Sequence, residues 1–192
     1  MAYNLKRRHV VDGVMEPLSA PPGRPAVGFG HYLRDTIYGA SDGVVTTLAV
    51  IAGVAGASLS PAIALVLGLA NLLADGFSMG ASNYLGLKSE LAQKGEDVAA
   101  EMPLRHGGAT FAAFVIAGAV PLGAYFLPLD GAARFPAAAV LGLVTLAGVG
   151  WVRAPLTGEA RTRAIIEMMA IGGLAAAVAF GVGAALDSLV LS

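Results

Sequence analysis

The 192-residue chain is 56% hydrophobic and only 13% charged, with a mean hydropathy of +0.72, whereas a soluble domain carries about 25% charge. That is a membrane composition, and a formal net charge of −1 leaves no basic surface for nucleic acid. The absence of cysteine excludes disulfides, thiolate metal sites and thiol nucleophiles.

Residues 1–30 read as a flexible, Pro/Gly-rich cytoplasmic tail. Lys6, Arg7 and Arg8 are followed by Asp12, Glu16 and Pro17 rather than by the apolar run of a secretory signal. Residues 31–192 then read as one all-α membrane domain of five spans, at about 37–58, 61–86, 108–127, 135–152 and 165–186. A bilayer is crossed by roughly 20 apolar residues as helix, and the runs are continuous rather than alternating, which argues against a barrel. Ser60-Pro61 opens the second span, with proline at the first helical position. Pro128, Asp130 and Gly131 separate the third from the fourth, and Pro155 and Gly158 the fourth from the fifth. His9, His31 and His106 all fall outside these spans, so haem ligation and histidine chemistry within the membrane are not expected.

Orientation follows from Lys and Arg. Lys6, Arg7, Arg8, Arg24, Arg34, Lys88, Lys94, Arg105, Arg153, Arg161 and Arg163 all fall on one side, and Arg134 alone on the other. The amino terminus is therefore expected in the cytoplasm and the carboxyl terminus outside, in a multi-pass protein of the cell (inner) membrane. Small residues are dense: Gly39 and Gly43, Gly53 and Gly56, Gly76 and Gly80, Gly172 and Gly173. They let membrane helices approach closely and are compatible with a dimer.

Two carboxylates stay inside the apolar runs, Asp42 in span one and Asp75 in span two. Each costs about 2.5–3.5 kcal/mol near the bilayer centre on insertion scales and so calls for a partner, a wet cavity or a function. Asn71, Asp75, Met79 and Asn83 recur every four residues on one slowly winding face, flanked by Ser78 and Ser82. Asp35, Ser41, Asp42 and Thr46 make a comparable strip on span one, with Tyr38 near its entrance. Counted inward from Arg34 and Lys88, Asp42 and Met79 fall at about the same depth, with Asp75 one turn deeper. Oxygen ligands suit Mg, Ca or Mn, and a thioether shifts preference toward later transition metals. Carboxylates also take protons that an arriving metal displaces. The set therefore points to a divalent-metal pathway coupled to protons. A non-transporting dimeric scaffold with structural aspartates is the alternative, and an intramembrane aspartyl enzyme a more remote one.

"LRDTIYGASDGVVTTLAVIAGVAGA" (33–57) with "GLANLLADGFSMGASNYLGLKSE" (68–90) resembles the first hairpin of the vacuolar iron transporter family. "VIAGAVPLGAYFL" (115–127) resembles its third span. The resemblance implies a five-span homodimer with the ion path between subunits. It implies export of Fe²⁺, often with Mn²⁺, from the cytosol in exchange for protons, with no permanently bound cofactor and no enzymatic activity. Asp42 matches the family's intramembrane aspartate, Met79 the methionine of its Ser-Met motif, and Asp35 an acidic residue near the cytosolic entrance. Asp75 fits a bacterial variant of the pattern.

In this reading Asp42 and Met79 bind metal and Asp75 binds metal or relays protons. Asp35 draws cations to the mouth, and Asn71, Asn83, Ser78 and Thr46 line the path. Many members carry glutamate where Asn83 stands. The plant and fungal type also inserts a metal-gathering cytoplasmic domain after span two, where this chain has only "KSELAQKGEDVAAEMPLRHG". Glu90, Lys94, Asp97 and Glu101 there are expected to share a solvated helical face, and Glu167 is expected to pair with Arg163, four residues before it.

Overall fold

The computed structural model describes residues 32–97 and 101–191. The tail expected at 1–30, with His9 and His31, lies outside the described residues. Every element is helical: α1 (Leu33–Gly56), α2 (Pro61–Lys94), α3 (Pro103–Leu122), α4 (Gly131–Thr157) and α5 (Arg161–Leu186). A 3₁₀ turn, Gly123–Phe126, extends α3, and a π-helical turn, Asp187–Leu191, extends α5. All five helices are long and apolar enough to cross a membrane, and the chain is a multi-pass membrane protein. Large apolar side chains point outward on α2, α3, α4 and α5, among them Leu73, Ile116, Val144 and Leu174. That inverts a soluble surface and suits lipid.

The breaks have local causes. Only Ala57–Ser60 joins α1 to α2, and Pro61 stands in the first turn of α2 after an extended Ser60. Gly95 and Gly158 end α2 and α4 with φ of 67° and 70°, a left-handed conformation that glycine adopts without a Cβ clash. The first of these stops has a consequence for the charged connection. Glu90 and Lys94 form an i,i+4 ion pair at 2.5 Å on α2, but Asp97 and Glu101 lie beyond the helix end and do not continue its face.

Glycines set the packing. A Cβ on Gly39 would strike the Thr110 carbonyl and one on Gly43 the Phe114 backbone, so α1 lies directly on α3. Gly80 and Gly107 oppose each other between α2 and α3, and Gly56 abuts Phe180 of α5. On the other side of the bundle, Gly150 abuts the Ala164 carbonyl and Gly172 abuts Leu146, joining α4 to α5. Close backbone approach of this kind is how membrane helices gain dispersion contact without a hydrophobic driving force. α1 therefore sits centrally, against α3 and α5, while α2 packs chiefly on α3. Phe114, fully buried, anchors the core with Ile51, Leu72 and Leu122.

The helices alternate in direction, so Arg34, Lys88, Lys94, Arg105, Arg153, Arg161 and Arg163 gather at one end and Arg134 at the other. At the first end Arg153 reaches both Glu159 (2.9 Å) and Glu167 (2.5 Å), clasping α4 to α5. Glu167 is thus tied to Arg153, on the neighbouring helix, and not to Arg163 as its spacing suggested. Met168 is buried and accepts a contact from the Arg153 guanidinium at 3.6 Å.

Candidate metal path between helices α1 and α2

α3 supplies the ruler for this seam. Gly43 of α1 and Gly76 of α2 both abut Phe114, Gly43 its backbone and Gly76 its ring. Asp42 and Asp75 are the residues immediately before those two glycines. They therefore stand at one level, both partly buried and within electrostatic reach of each other. One step toward the basic end, Asn83 donates to Asp35 Oδ1 at 2.9 Å, and this second tie fixes the same register. Seven residues inward from Asp35 is Asp42; seven back from Asn83 is Gly76.

This corrects the expected depths. Met79 is not level with Asp42 but about one turn nearer the basic end, opposite Gly39 and Thr110, and Asp75 takes its place beside Asp42. The reason is the length of α2, which runs on to Lys94. Lys88 consequently overhangs the end of α1 and does not mark the depth of Arg34. Met79 is partly buried and packs against the core cluster around Phe114, so its sulfur sits at the edge of a packed surface.

The remaining candidates divide by their hydrogen bonds. Thr46 donates back to the Asp42 carbonyl at 2.9 Å, a local bond within α1. Ser41 does the same to the Tyr38 carbonyl at 3.0 Å, and the Tyr38 side chain is exposed. Asn71 is partly buried on the Asp75 face, whereas Ser78 and Ser82 are exposed. Asp35 is the most heavily engaged. Its Oδ2 meets His106 Nδ1 at 2.5 Å while Oδ1 holds Asn83. Asn83 also donates to Thr110 Oγ1 at 2.6 Å, and that hydroxyl donates to the His106 carbonyl at 3.1 Å.

His106 was not anticipated as part of a site. The expected third span began at 108, but α3 begins at Pro103, with proline in its first turn. His106 is therefore inside the helix and buried. The signal that could have found it is the four-residue repeat His106, Thr110, Phe114, Gly118, one face of a helix. The tilted ring of Tyr32 covers the imidazole, with centroids 4.7 Å apart.

Among the described residues no group of three or more His, Asp or Glu side chains could hold a metal ion. The α1–α2 seam offers two carboxylates at one level and a thioether one turn away.

A sequence model of the VIT family matches residues 33–102 and 92–184. Among curated proteins, the chain is 25% identical to the vacuolar iron transporter of Toxoplasma gondii, over 83% of this chain and 76% of that one. It is 27% identical to vacuolar iron transporter 2 of Oryza sativa subsp. japonica, over 83% and 89% of the two chains. It is 30% identical to vacuolar iron transporter homolog 1 of the same plant, over 88% and 84%. The family match spans four of the five helices completely and most of the fifth, including every residue of the α1–α2 seam, and the chain belongs to the VIT family.

Proposed function

We propose that this protein exports a divalent transition metal, Fe²⁺ or Mn²⁺, from the cytosol in exchange for protons. The names of its relatives support iron as cargo. The observation that carries the reading is the pair Asp42 and Asp75 at one level across the α1–α2 seam. A dication between two carboxylates neutralises both, and a carboxyl group is also chemically able to carry a proton. One site can thus hold metal or proton in turn, which is the minimal requirement for exchange.

Met79, one turn toward the basic end, supplies the softer donor that favours Fe²⁺ over Mg²⁺ or Ca²⁺. Two carboxylates and a thioether leave a six-coordinate ion short of ligands. A two-fold partner facing this seam doubles the set, and the exposed α2 face carrying Phe77 and Ser78 is the surface such a homodimer would cover. The excess of Lys and Arg at the basic end supports a cytoplasmic position for it; in this reading metal enters past Asp35 and Met79 and leaves near Arg134.

Proteoliposomes of the full chain, with Fe²⁺ or Mn²⁺ supplied on one side and a pH gradient imposed, test this. Metal uptake coupled to proton movement is expected, reduced at least tenfold in Asp42→Asn and in Asp75→Asn, a change equivalent to about 1.4 kcal/mol or more. Uptake unchanged in both variants would remove these aspartates from the path.

A further inference from the structure

We propose that the cavity at the Arg134 end of the bundle binds one anionic glycerophospholipid, with its phosphate on Arg134, Tyr125 and the start of α4 and its acyl chains on the apolar walls. The site lies at the opposite end of the molecule from Asp35, and nothing in it depends on the transport reading above. The cavity measures about 380 Å³, within the range of pockets that hold small ligands. It forms where the α1–α2 turn, the 3₁₀ turn after α3, the start of α4 and the end of α5 meet.

Three of its polar groups call for an anion. Tyr125 lines the cavity and is only 8% exposed. Its hydroxyl makes no hydrogen bond among the described residues, yet it is not sealed from solvent. A buried tyrosine hydroxyl ordinarily has a partner, so one left free at a cavity wall points to a ligand. Arg134 is partly buried within electrostatic reach of Tyr125. Among the described residues its one side-chain hydrogen bond runs from Nε to the Leu129 carbonyl at 3.2 Å. The rest of the guanidinium fork is available, and its plane matches two phosphate oxygens. Gly131 and Ala132 line the same wall and open α4 without a side-chain cap from Asp130. The first N–H groups of a helix have no intrahelical acceptor, and the positive end of the helix dipole favours negative charge there.

The walls and the depth select a lipid over a free anion. Phe135 stacks on Phe180 with centroids 5.8 Å apart. Leu59 and Phe180 line the cavity while remaining 39% and 41% exposed, so its apolar wall runs on into the lipid-facing surface. α4 spans 27 residues, about 40 Å, against a hydrocarbon core of about 30 Å. Its first turn, with Arg134, therefore reaches headgroup level. Phosphate arriving from water gains nothing from those walls, whereas a phospholipid in that leaflet uses both parts of the site. The headgroup is anionic rather than zwitterionic because no described carboxylate lines the cavity to receive an ammonium. Asp130 is exposed, and Asp187 accepts from Ser58 at 3.2 Å.

Native mass spectrometry of the full chain in detergent tests this, with dioleoyl phosphatidylglycerol, diolein and inorganic phosphate as probes. Wild type should keep one phosphatidylglycerol per chain under conditions that strip diolein, which lacks the phosphate, and inorganic phosphate, which lacks the chains. Arg134→Gln should weaken phosphatidylglycerol about tenfold or more, and Tyr125→Phe about threefold, as expected for hydrogen bonds to a charged group. Tyr125→Phe removes a hydroxyl with no partner in the protein, so its thermal midpoint without lipid should equal that of wild type. Only the rise in midpoint on adding phosphatidylglycerol should shrink. Equal retention of phosphatidylglycerol by wild type and both variants would mean annular lipid only and overturn the site. Retention of inorganic phosphate equal to that of the lipid, or a lower lipid-free midpoint in Tyr125→Phe, would overturn it as well.

Discussion

Replacing Gly43 by alanine puts the register of the α1–α2 seam to its most direct test. The added Cβ would lie 2.9 Å from both the carbonyl carbon and the Cα of Phe114, and closer still to its oxygen. Carbon atoms pack at about 3.5–4.0 Å, so α1 and α3 must separate by roughly 0.6–1 Å. The obstruction is backbone, and no change of rotamer relieves it. Overpacking of this size costs about 1–3 kcal/mol, and the gain in helix propensity returns about 1 kcal/mol, leaving a net loss of about 0–2 kcal/mol.

Transport should suffer more than stability. Asp42 is the preceding residue on α1 and moves with it, and displacement of a working group by 1 Å costs on the order of a hundredfold in a positioned site. The expected outcome is a modest fall in the thermal midpoint of detergent-solubilised protein with metal flux reduced tenfold or more. Gly148→Ala on α4, where a Cβ meets nothing within 4 Å, should keep its flux and gain up to about 1 kcal/mol. Gly43→Ala with both wild-type flux and wild-type midpoint would mean that α1 and α3 do not approach as described, and the alignment of Asp42 with Asp75 would fall with it.

Met79→Leu separates packing from ligation: as a near-isosteric swap at the edge of the Phe114 cluster it should cost under about 1.5 kcal/mol. In competition flux assays it should lower the preference for Fe²⁺ over Mn²⁺; unchanged selectivity would leave Met79 a packing residue only. Arg153→Met should separate α4 from α5 at the basic end and lower the thermal midpoint at neutral pH. The effect should also depend on pH. The hydrogen bond from Arg153 holds the Glu159 carboxyl below its ordinary value of 4.5. A lowered carboxyl contributes stability above its unfolded pKa and loses it as pH falls through the folded one. Wild type should therefore lose more of its midpoint between pH 6 and pH 3 than Arg153→Met does, and equal losses would show that Glu159 gains nothing from the arginine.

The five helices were legible because each carries an uninterrupted apolar run longer than a bilayer, and the turns carry residues with one local use. Ser60-Pro61 and Gly158 stop or start helices for steric reasons that need no tertiary information. The charged connection was harder. Nothing short of the backbone shows that Gly95 takes a positive φ, and that single angle removes Asp97 and Glu101 from the face that Glu90 and Lys94 share. The partner of Glu167 was misread for a related reason. Spacing along one helix favours Arg163, but the packing of α4 on α5 brings in Arg153, and a two-carboxylate clasp on one guanidinium outweighs an exposed i,i+4 pair.

Depth was the one quantity that charge counting misjudged, and the reason is physical. Lys and Arg mark a membrane boundary only loosely, because their long stems let the charge reach water from several residues inside or outside it. Glycine contacts and a hydrogen bond between helices do not stretch in that way. Once Gly43 and Gly76 meet on Phe114 and Asn83 meets Asp35, α2 shifts by about one turn relative to α1. Asp75 then faces Asp42, and Met79 moves up between that pair and the mouth. The same shift explains why asparagine rather than glutamate suits position 83 here. With His106 on Oδ2 and an amide donor on Oδ1, Asp35 has both oxygens satisfied. A glutamate at 83 would replace that donor with a second carboxylate, which has no hydrogen to give Oδ1 when ionised. The polar side chains near the basic end therefore form one hydrogen-bonded set, in which residue 83 supplies donors to both Asp35 and Thr110.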